Sequence, residues 1–439
     1  MTTGIITVIL FASLFALLIL GFPLAFCFGS VAVIFIVWQW GYNALYILAT
    51  TAFSSWTSFI LIAVPLFILM ANLLERSGLA DDLYDTIYKW GGPLRGGLAM
   101  GTVVICAIFA AMSGISGVAT ITMGLIALPS MLKRNYDRLI AVGCISAGGT
   151  LGILIPPSII MIVYASLTGE SVGKLFMGGV IPGIVIALIF ILYIGVRSFF
   201  QPRLGPPLPE SERATWNEKF RSLKAVILPI ALILVVLGVI YTGICTPTEA
   251  SGIGAFGSLL VVILKRRFTW QMFESALRST LHLTAMVMWI LLGAKCFSHI
   301  YTALGASDFV HQLIIGFEVN RWFIVIGMQI ILLILGCFMD PAGIIMICTP
   351  VFIPLIIKLG FDPVWFGILF TINMEAGYIT PPFGFNLFYM KSLAEPMGVS
   401  MGEIYRSIIP FTLLLLVGMA IIMLFPGLAL WLPSTMITR

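Results

Sequence analysis

The sequence predicts an all-α polytopic membrane protein built from two copies of one pattern, a re-entrant helical hairpin followed by a broken helix. Three observations predict it. First, the 439 residues are 60% hydrophobic and only 9% charged, with a mean hydropathy of +1.13, whereas a soluble chain carries roughly a quarter charged residues. Second, the first 74 residues contain no Asp, Glu, Lys or Arg, a run long enough for several crossings at about 20 apolar residues each. Third, the apolar blocks are continuous, unlike the ~10-residue alternating segments of a membrane β-barrel. Soluble enzymes drop out on this composition. The net charge of +5 is no nucleic-acid signal, because the basic residues sit in short loops where they set orientation.

The N-terminus, MTTGIITVILFASLF, lacks a positive leader region and reads as a retained helix. The seven cysteines lie mostly in apolar stretches without CxxC spacing, so they read as small packing residues. Three basic clusters stand out: Lys133, Arg134 and Arg138; Arg197 through Lys224; and Lys265-Arg266-Arg267. The positive-inside rule puts all three in the cytoplasm. Residues 200–224 are Pro-rich and charged, and form the linker between an N-terminal repeat, 1–199, and a C-terminal repeat, 225–439.

Residues 96–132 are too many for one span and too few for two with a turn, with basic residues at both ends and MSGISG in the middle. They read as a re-entrant hairpin, whose irregular tip is tolerated only if buried in protein or lining a cavity. Residues 322–357 have the same shape, broken by FMDPAG. There Asp340 is the lone charge, at once a functional candidate and a good helix cap before proline. A span broken at Gly and Pro-Pro follows each hairpin: about 139–165, with Pro156-Pro157, and about 363–390, with Pro381-Pro382. At an offset of 225, Pro129, Lys133, Asp137, Gly152, Pro156-Pro157 and Tyr164 align with Pro354, Lys358, Asp362, Gly377, Pro381-Pro382 and Tyr389. At 227, Gly78 and Asp81 align with Gly305 and Asp308. The chain is therefore expected to be a duplication. Counting crossings from a cytoplasmic Lys133 makes the second hairpin open from the outside, so the copies are inverted, the organisation of secondary transporters with mid-membrane sites.

Proline removes a donor and frees carbonyls upstream. The carbonyls around Gly152, Ile155 and Pro156 with Ser113 and Ser116, and those around Gly377 and Thr380 with the second tip, are hard oxygen donors suited to sodium. Other strings carry no chemistry. GESVGK (169–174) is too short for a phosphate loop, Gly252, Gly254 and Gly257 read as helix packing, and His282, His299 and His311 lack metal-ligand spacing. Lys295 and Glu375 are a pair or separately solvated; the sequence leaves both open. The amphipathic stretch 268–283 reads as a membrane-surface helix.

The strings GTLGILIPPSIIMIVY (149–164), TPTEA (246–250), FMDPAG and GYITPPFG (377–384) resemble the large membrane subunit of tripartite ATP-independent periplasmic (TRAP) transporters along nearly the whole chain. The resemblance implies an elevator-type carrier of the ion-transporter superfamily, driven by sodium as coupling ion with no other cofactor, and not an enzyme. It implies one sodium site on Ser113, Ser116, Gly152, Ile155 and Pro156, and a second on Gly336, Gly377 and Thr380. The substrate is expected at Asp340, Pro157, Pro381 and Pro382. The implied partners are a separate small four-helix membrane subunit, a periplasmic substrate-binding protein that delivers a small organic anion (carboxylate or sulfonate), and the lipid bilayer of a bacterial inner membrane. A stand-alone sodium-coupled anion carrier without a binding protein is the alternative.

Overall fold

Helix starts in this chain are written locally. In TPTEA, the Thr246 side chain accepts from the Glu249 amide and the Glu249 carboxylate accepts from Thr246, with Pro247 at the first helical position. Such a capping box satisfies two donors that a helix end leaves open, and each cap of this kind is worth roughly 1 kcal/mol. Thr215 with Glu218 and Ser400 with Glu403 repeat the device.

The computed structural model describes residues 2–315 and 320–437. The N-terminal part is α1 (Thr3–Ile19), α2 (Leu24–Trp40), α3 (Tyr46–Trp56), α4 (Ala63–Arg76) and α5 (Leu79–Gly91). Next come α6 (Gly97–Ser113), α7 (Ser116–Lys133), α8 (Arg138–Thr150), α9 (Ile159–Thr168) and α10 (Val172–Phe200). Beyond the linker lie α11 (Trp216–Tyr241), α12 (Pro247–Leu264), α13 (Trp270–Ala303) and α14 (Ala306–Ile315). The chain ends with α15 (Arg321–Gly336), α16 (Pro341–Lys358), α17 (Pro363–Ile379), α18 (Phe385–Ala394), α19 (Met401–Leu424) and α20 (Gly427–Ser434). Among the described residues, seven helices are long and apolar enough to cross a membrane unaided. Several others pair up as arms of hairpins or halves of broken spans.

The positions that align in the two registers do the same structural work. Asp137 caps α8 by accepting from the Ile140 amide, and Asp362 caps α17 by accepting from Val364 and Trp365. Gly78 and Gly305 both turn the chain at positive φ, +67° and +69°, a conformation glycine adopts without steric cost. Lys133 and Lys358 both end the second arm of a hairpin.

Contacts set the direction of the arms. Leu98 N–H donates to the Tyr136 hydroxyl, Cys106 lies against Gly148, and Ile115 lies against Gly152. Rising numbers therefore meet rising numbers, and α6 and α8 run parallel. Likewise Gln329 meets Asn373 and Gly336 meets Gly377, so α15 and α17 run parallel. In each case the intervening arm returns the chain to the side it came from. Arms of 17 and 18 residues are about 25 Å long at 1.5 Å per residue, enough to pass the midplane of a hydrocarbon core about 30 Å thick.

Two segments differ from the sequence expectation or its boundaries. The amphipathic stretch 268–283 is not a separate surface helix. From Trp270 it is the first part of the 34-residue α13, because no proline or glycine stands between Trp270 and Leu292 to stop propagation. Residues 216–224 of the linker are the first turns of α11, bent by 44° from Val226–Tyr241. The rest of the linker is tied down. Gly96 N–H donates to Gly205 O (2.8 Å), Asp137 N–H to Leu204 O (3.0 Å), and Arg134 pairs with Glu212 (3.0 Å). The glycine string in α12 packs helices together: Gly254 faces Met70 of α4, and Gly257 faces Leu232 of α11.

Candidate functional site

The first junction forms where the tip of the α6–α7 hairpin meets the break after α8. Ser113 ends α6, Gly114 turns the chain at φ +62°, and Ser116 opens α7. Opposite them, α8 gives way to a short 310 turn, Leu151–Ile153, and then to an unwound segment containing Ile155, Pro156 and Pro157. The approach is backbone to backbone. A Cβ on Gly152 would stand 2.8 Å from the Ile115 carbonyl oxygen and 3.2 Å from Ser116 Cα, so only glycine fits. Leu154 and Ile155 N–H both donate to Leu151 O, and the Ser158 hydroxyl donates to Ile153 O (2.5 Å). Among the described residues, no turn, cap or loop N–H donates to the carbonyls of Gly152, Ile155, Pro156 or Pro157. Ser113 and Ser116 are buried, and their hydroxyls are engaged, Ser113 with Ile115 O (3.2 Å) and Ser116 with Asn386, so the open acceptors of this junction are its backbone carbonyls.

The second junction has the same parts. Gly336 ends α15 and Gly377 lies in the last turn of α17, where a Cβ would stand 2.8 Å from Gly336 Cα. Thr380 ends the helix, its hydroxyl donating to Ala376 O (2.6 Å). Phe383 N–H donates to Cys337 O (3.2 Å) and ties the hairpin end to the break. Asp340 caps α16 by accepting from the Ala342 amide (2.9 Å), with Pro341 at the first helical position. Both Pro-Pro peptide bonds are cis.

The junctions meet across a cavity of about 100 Å3. Gly114, Ile115 and Ser116 line it from the first hairpin, Asp340 and Ala342 from the second, and Tyr378 from the second break. Helices α7 and α16 both begin there, so their positive N-terminal ends face one space. Pro157 lies beside Gly114. Pro381 and Pro382 are exposed and do not line this cavity. Asp340 also borders a pocket of about 590 Å3 shared with Phe15, Leu24, Phe338 and Phe383.

Three polar features of this region lay outside the sequence-based candidates. Asn386, wholly buried in α18, hydrogen-bonds Ser116 and Ser146 O. Asn373 donates to the carbonyl and side chain of Gln329 (2.7 and 2.9 Å), joining α17 to α15. Glu375 is wholly buried, with no hydrogen-bond partner on either oxygen. Among the described residues it makes no ion pair, and Lys295 lies half-buried in α13. An amide inside an apolar run was the available signal for Asn386 and Asn373, but its partners lie far away in sequence. His299 pairs with the Thr51 hydroxyl (2.9 Å) and His282 with Arg278 O; the side chain of His311 lies outside the described residues.

Long apolar helices, two hairpins and two helices broken at backbone contacts define a multi-pass membrane permease. Residues 11–428 match the family model of the tripartite ATP-independent periplasmic transporter, DctM component. The chain belongs to this family, as a large permease subunit. It is 34% identical over 388 residues to the C4-dicarboxylate TRAP transporter large permease protein DctM of Pseudomonas aeruginosa, covering 88% of this chain and 89% of that one. It is 32% identical to the protein of the same name in Vibrio cholerae, over 97% of each chain. It is 31% identical to the isethionate TRAP transporter permease protein DctMQ of Oleidesulfovibrio alaskensis, over 96% of this chain and 66% of that protein. Its fold is similar to that of the Alcanivorax borkumensis YdaH transporter, with a TM-score of 0.65 over 94% of this chain and 97% of that one at 14% identity.

Proposed function

We propose that this subunit imports a small organic anion, a carboxylate or sulfonate, across a bacterial inner membrane by sodium-coupled, elevator-type movement. A periplasmic binding protein delivers the solute, and a small four-helix membrane subunit completes the carrier. Relatives named for C4-dicarboxylate and isethionate transport support the substrate class. One relative named DctMQ, about a third of which lies outside its match to this chain, is consistent with a second membrane component.

The observation that carries the proposal is the pair of backbone contacts, Gly152 on Ile115 and Gly377 on Gly336. Each brings a hairpin end onto a helix break, the first with open carbonyls at Gly152, Ile155 and Pro156 and the second with Gly377 O accepting only a long bond from Thr380 N–H (3.3 Å). One sodium ion is assigned to Ser113, Ser116, Gly152, Ile155 and Pro156, and another to Gly336, Gly377 and Thr380. The anion would lie between them, against the helix ends at Ser116 and Asp340 and beside the Pro157 break, with Pro381 and Pro382 outside the cavity. Bound cations would offset the Asp340 charge there. The inverted arrangement is supported by reciprocal packing: α7 packs on α18, and α16 packs on α9.

The test uses proteoliposomes holding both membrane subunits, with the binding protein outside. The solute is the one that most raises the binding protein's melting temperature in a screen of carboxylates and sulfonates. Uptake should need all components and an inward sodium gradient, and Thr380→Ala should raise the half-saturating sodium concentration. Equal uptake with potassium in place of sodium would remove the coupling, and full-rate uptake by this chain alone would favour the stand-alone carrier.

A further inference from the structure

We infer that Asn386 positions the Ser116 hydroxyl for its cation, so that the second broken helix controls the geometry of the first hairpin's site. The inference rests on the assignment of Ser116 as a sodium ligand. Asn386 is the second residue of α18, just past the Pro381-Pro382 break, and is wholly buried. Its Nδ2 lies 2.9 Å from Ser116 Oγ and 3.1 Å from Ser146 O, and its Oδ1 lies 3.1 Å from Ser116 Oγ. One amide thus joins three elements: α18, the start of α7, and α8.

The hydrogen-bond inventory gives the chemistry. A primary amide has two N–H donors and one carbonyl acceptor, and a hydroxyl has one donor and two lone pairs. The Ser146 carbonyl can only accept, which fixes the amide with Nδ2 towards it. The remaining N–H then reaches Ser116 Oγ, and Oδ1 stands where it can take the Ser116 proton. Ser116 keeps one uncommitted lone pair, and its proton points away from that lone pair. A hydroxyl ligating a cation needs this arrangement, since a proton aimed at the ion would repel it. In a dry interior such bonds are stronger than in water, so a rotated Ser116 would return readily to this position.

Asn386 belongs to the opposite half of the duplication from Ser116. Movement of α18 during opening at the second break therefore pulls on the ligand of the first ion. A sodium ion at Ser116 in turn favours the arrangement of α18 that holds the hydroxyl in place, because coupling between two sites is reciprocal.

The probe is sodium itself. The purified membrane protein is titrated with sodium chloride against choline chloride at constant ionic strength, and sodium affinity is read from the rise in melting temperature. Ser116→Ala and Asn386→Ala should each raise the half-saturating concentration about tenfold, and the double variant should be no weaker than Ser116→Ala alone. Asn386→Asp keeps the acceptor for the hydroxyl but sets an acceptor against Ser146 O in place of the Nδ2 donor, so it too should raise the half-saturating concentration. A merely structural Asn386 would multiply its effect onto that of Ser116→Ala in the double variant. If Asn386→Ala cannot be purified, Asn386→Asp takes its place in the same double-variant comparison with Ser116→Ala. The positioning role is overturned if Ser116→Ala weakens sodium while the Asn386 variant leaves it unchanged, or if the two effects multiply. If Ser116→Ala itself leaves sodium affinity unchanged, the sodium assignment fails and the positioning role fails with it.

Discussion

The two helix breaks share a pattern and differ in their surroundings. Pro156 and Pro157 are buried, whereas Pro381 and Pro382 are exposed. Ser158 and Phe383 occupy the same place in the 225-residue register, yet Ser158 is 0% exposed and Phe383 is 49% exposed. The covering helices account for the difference. Gly179 and Gly183 of α10 let that helix close directly on Leu154 and Ile155 of the first break. At the same register α19 carries Ile404 and Ile408 in place of the two glycines. The second break lies instead beside the 590 Å3 pocket bordered by the N-terminal helices. A duplicated motif can thus be closed in one copy and open in the other without any change in the motif itself.

The largest effect should come from filling the first contact. Gly152→Val puts a branched side chain where a Cβ already meets Ile115 O at 2.8 Å. Overpacking costs roughly 1–3 kcal/mol, and transport in proteoliposomes should be lost along with a clear drop in melting temperature. A fully active Gly152→Val protein would mean that the tip does not rest on the break.

The next test reads the asymmetry itself. With the native cysteines replaced, Phe383→Cys should react with a small maleimide at least tenfold faster than Ser158→Cys. Similar rates would show that the two breaks are equally accessible. Ser158→Ala should have a smaller effect. It removes the bond to Ile153 O and the cap on the Met161 amide, each worth about 1 kcal/mol, so the first break should loosen and Ser158→Ala should melt earlier than Phe383→Ala.

The smallest effect concerns the linker that closes over the first hairpin only. The Tyr88 hydroxyl and then the Arg134 guanidinium hold the Glu212 carboxyl below the usual carboxylate range. A carboxyl lowered on folding stabilises above its unfolded value and loses that contribution as pH falls through its folded value. The linker should therefore loosen below about pH 4, read as faster amide hydrogen exchange at 204–213 relative to the intrinsic rate at that pH, and Glu212→Gln should be open to trypsin at Arg213 already at neutral pH. Exchange and cleavage independent of both changes would mean that the contact does not hold the linker.

Much of this was legible because it is local. Asp-Pro and Thr-Pro-Thr-Glu mark helix starts, Gly-Ile-Ser-Gly marks a tip, and Pro-Pro marks a break, each through backbone chemistry within a few residues. The 225-residue register also shows in the sequence, since prolines, glycines and caps recur in it. What was not legible depends on partners brought together by the fold. Asn386 meets Ser116 from 270 positions away, and Gln329 meets Asn373 through a helix pair whose rotation the apolar pattern does not define. The exposure of Pro381 and Pro382 was hidden for the same reason. It depends on what α10 and α19 carry at positions outside the motif, and on where α1 and α2 pack.

The central claim is that the two halves enter the membrane from opposite sides, and paired labelling at Lys133 and Lys358 tests it most directly. Between these lysines lie the α8–α9 crossing, then α10, α11, α12 and α13, and finally a hairpin that returns to its own side. That is an odd number of crossings. In a cysteine-free protein in oriented vesicles, Lys133→Cys should react with a membrane-impermeant maleimide only from the cytoplasmic face, and Lys358→Cys only from the periplasmic face. Labelling of both from one face would contradict the inverted arrangement, and the paired sodium sites proposed at the two breaks would fall with it.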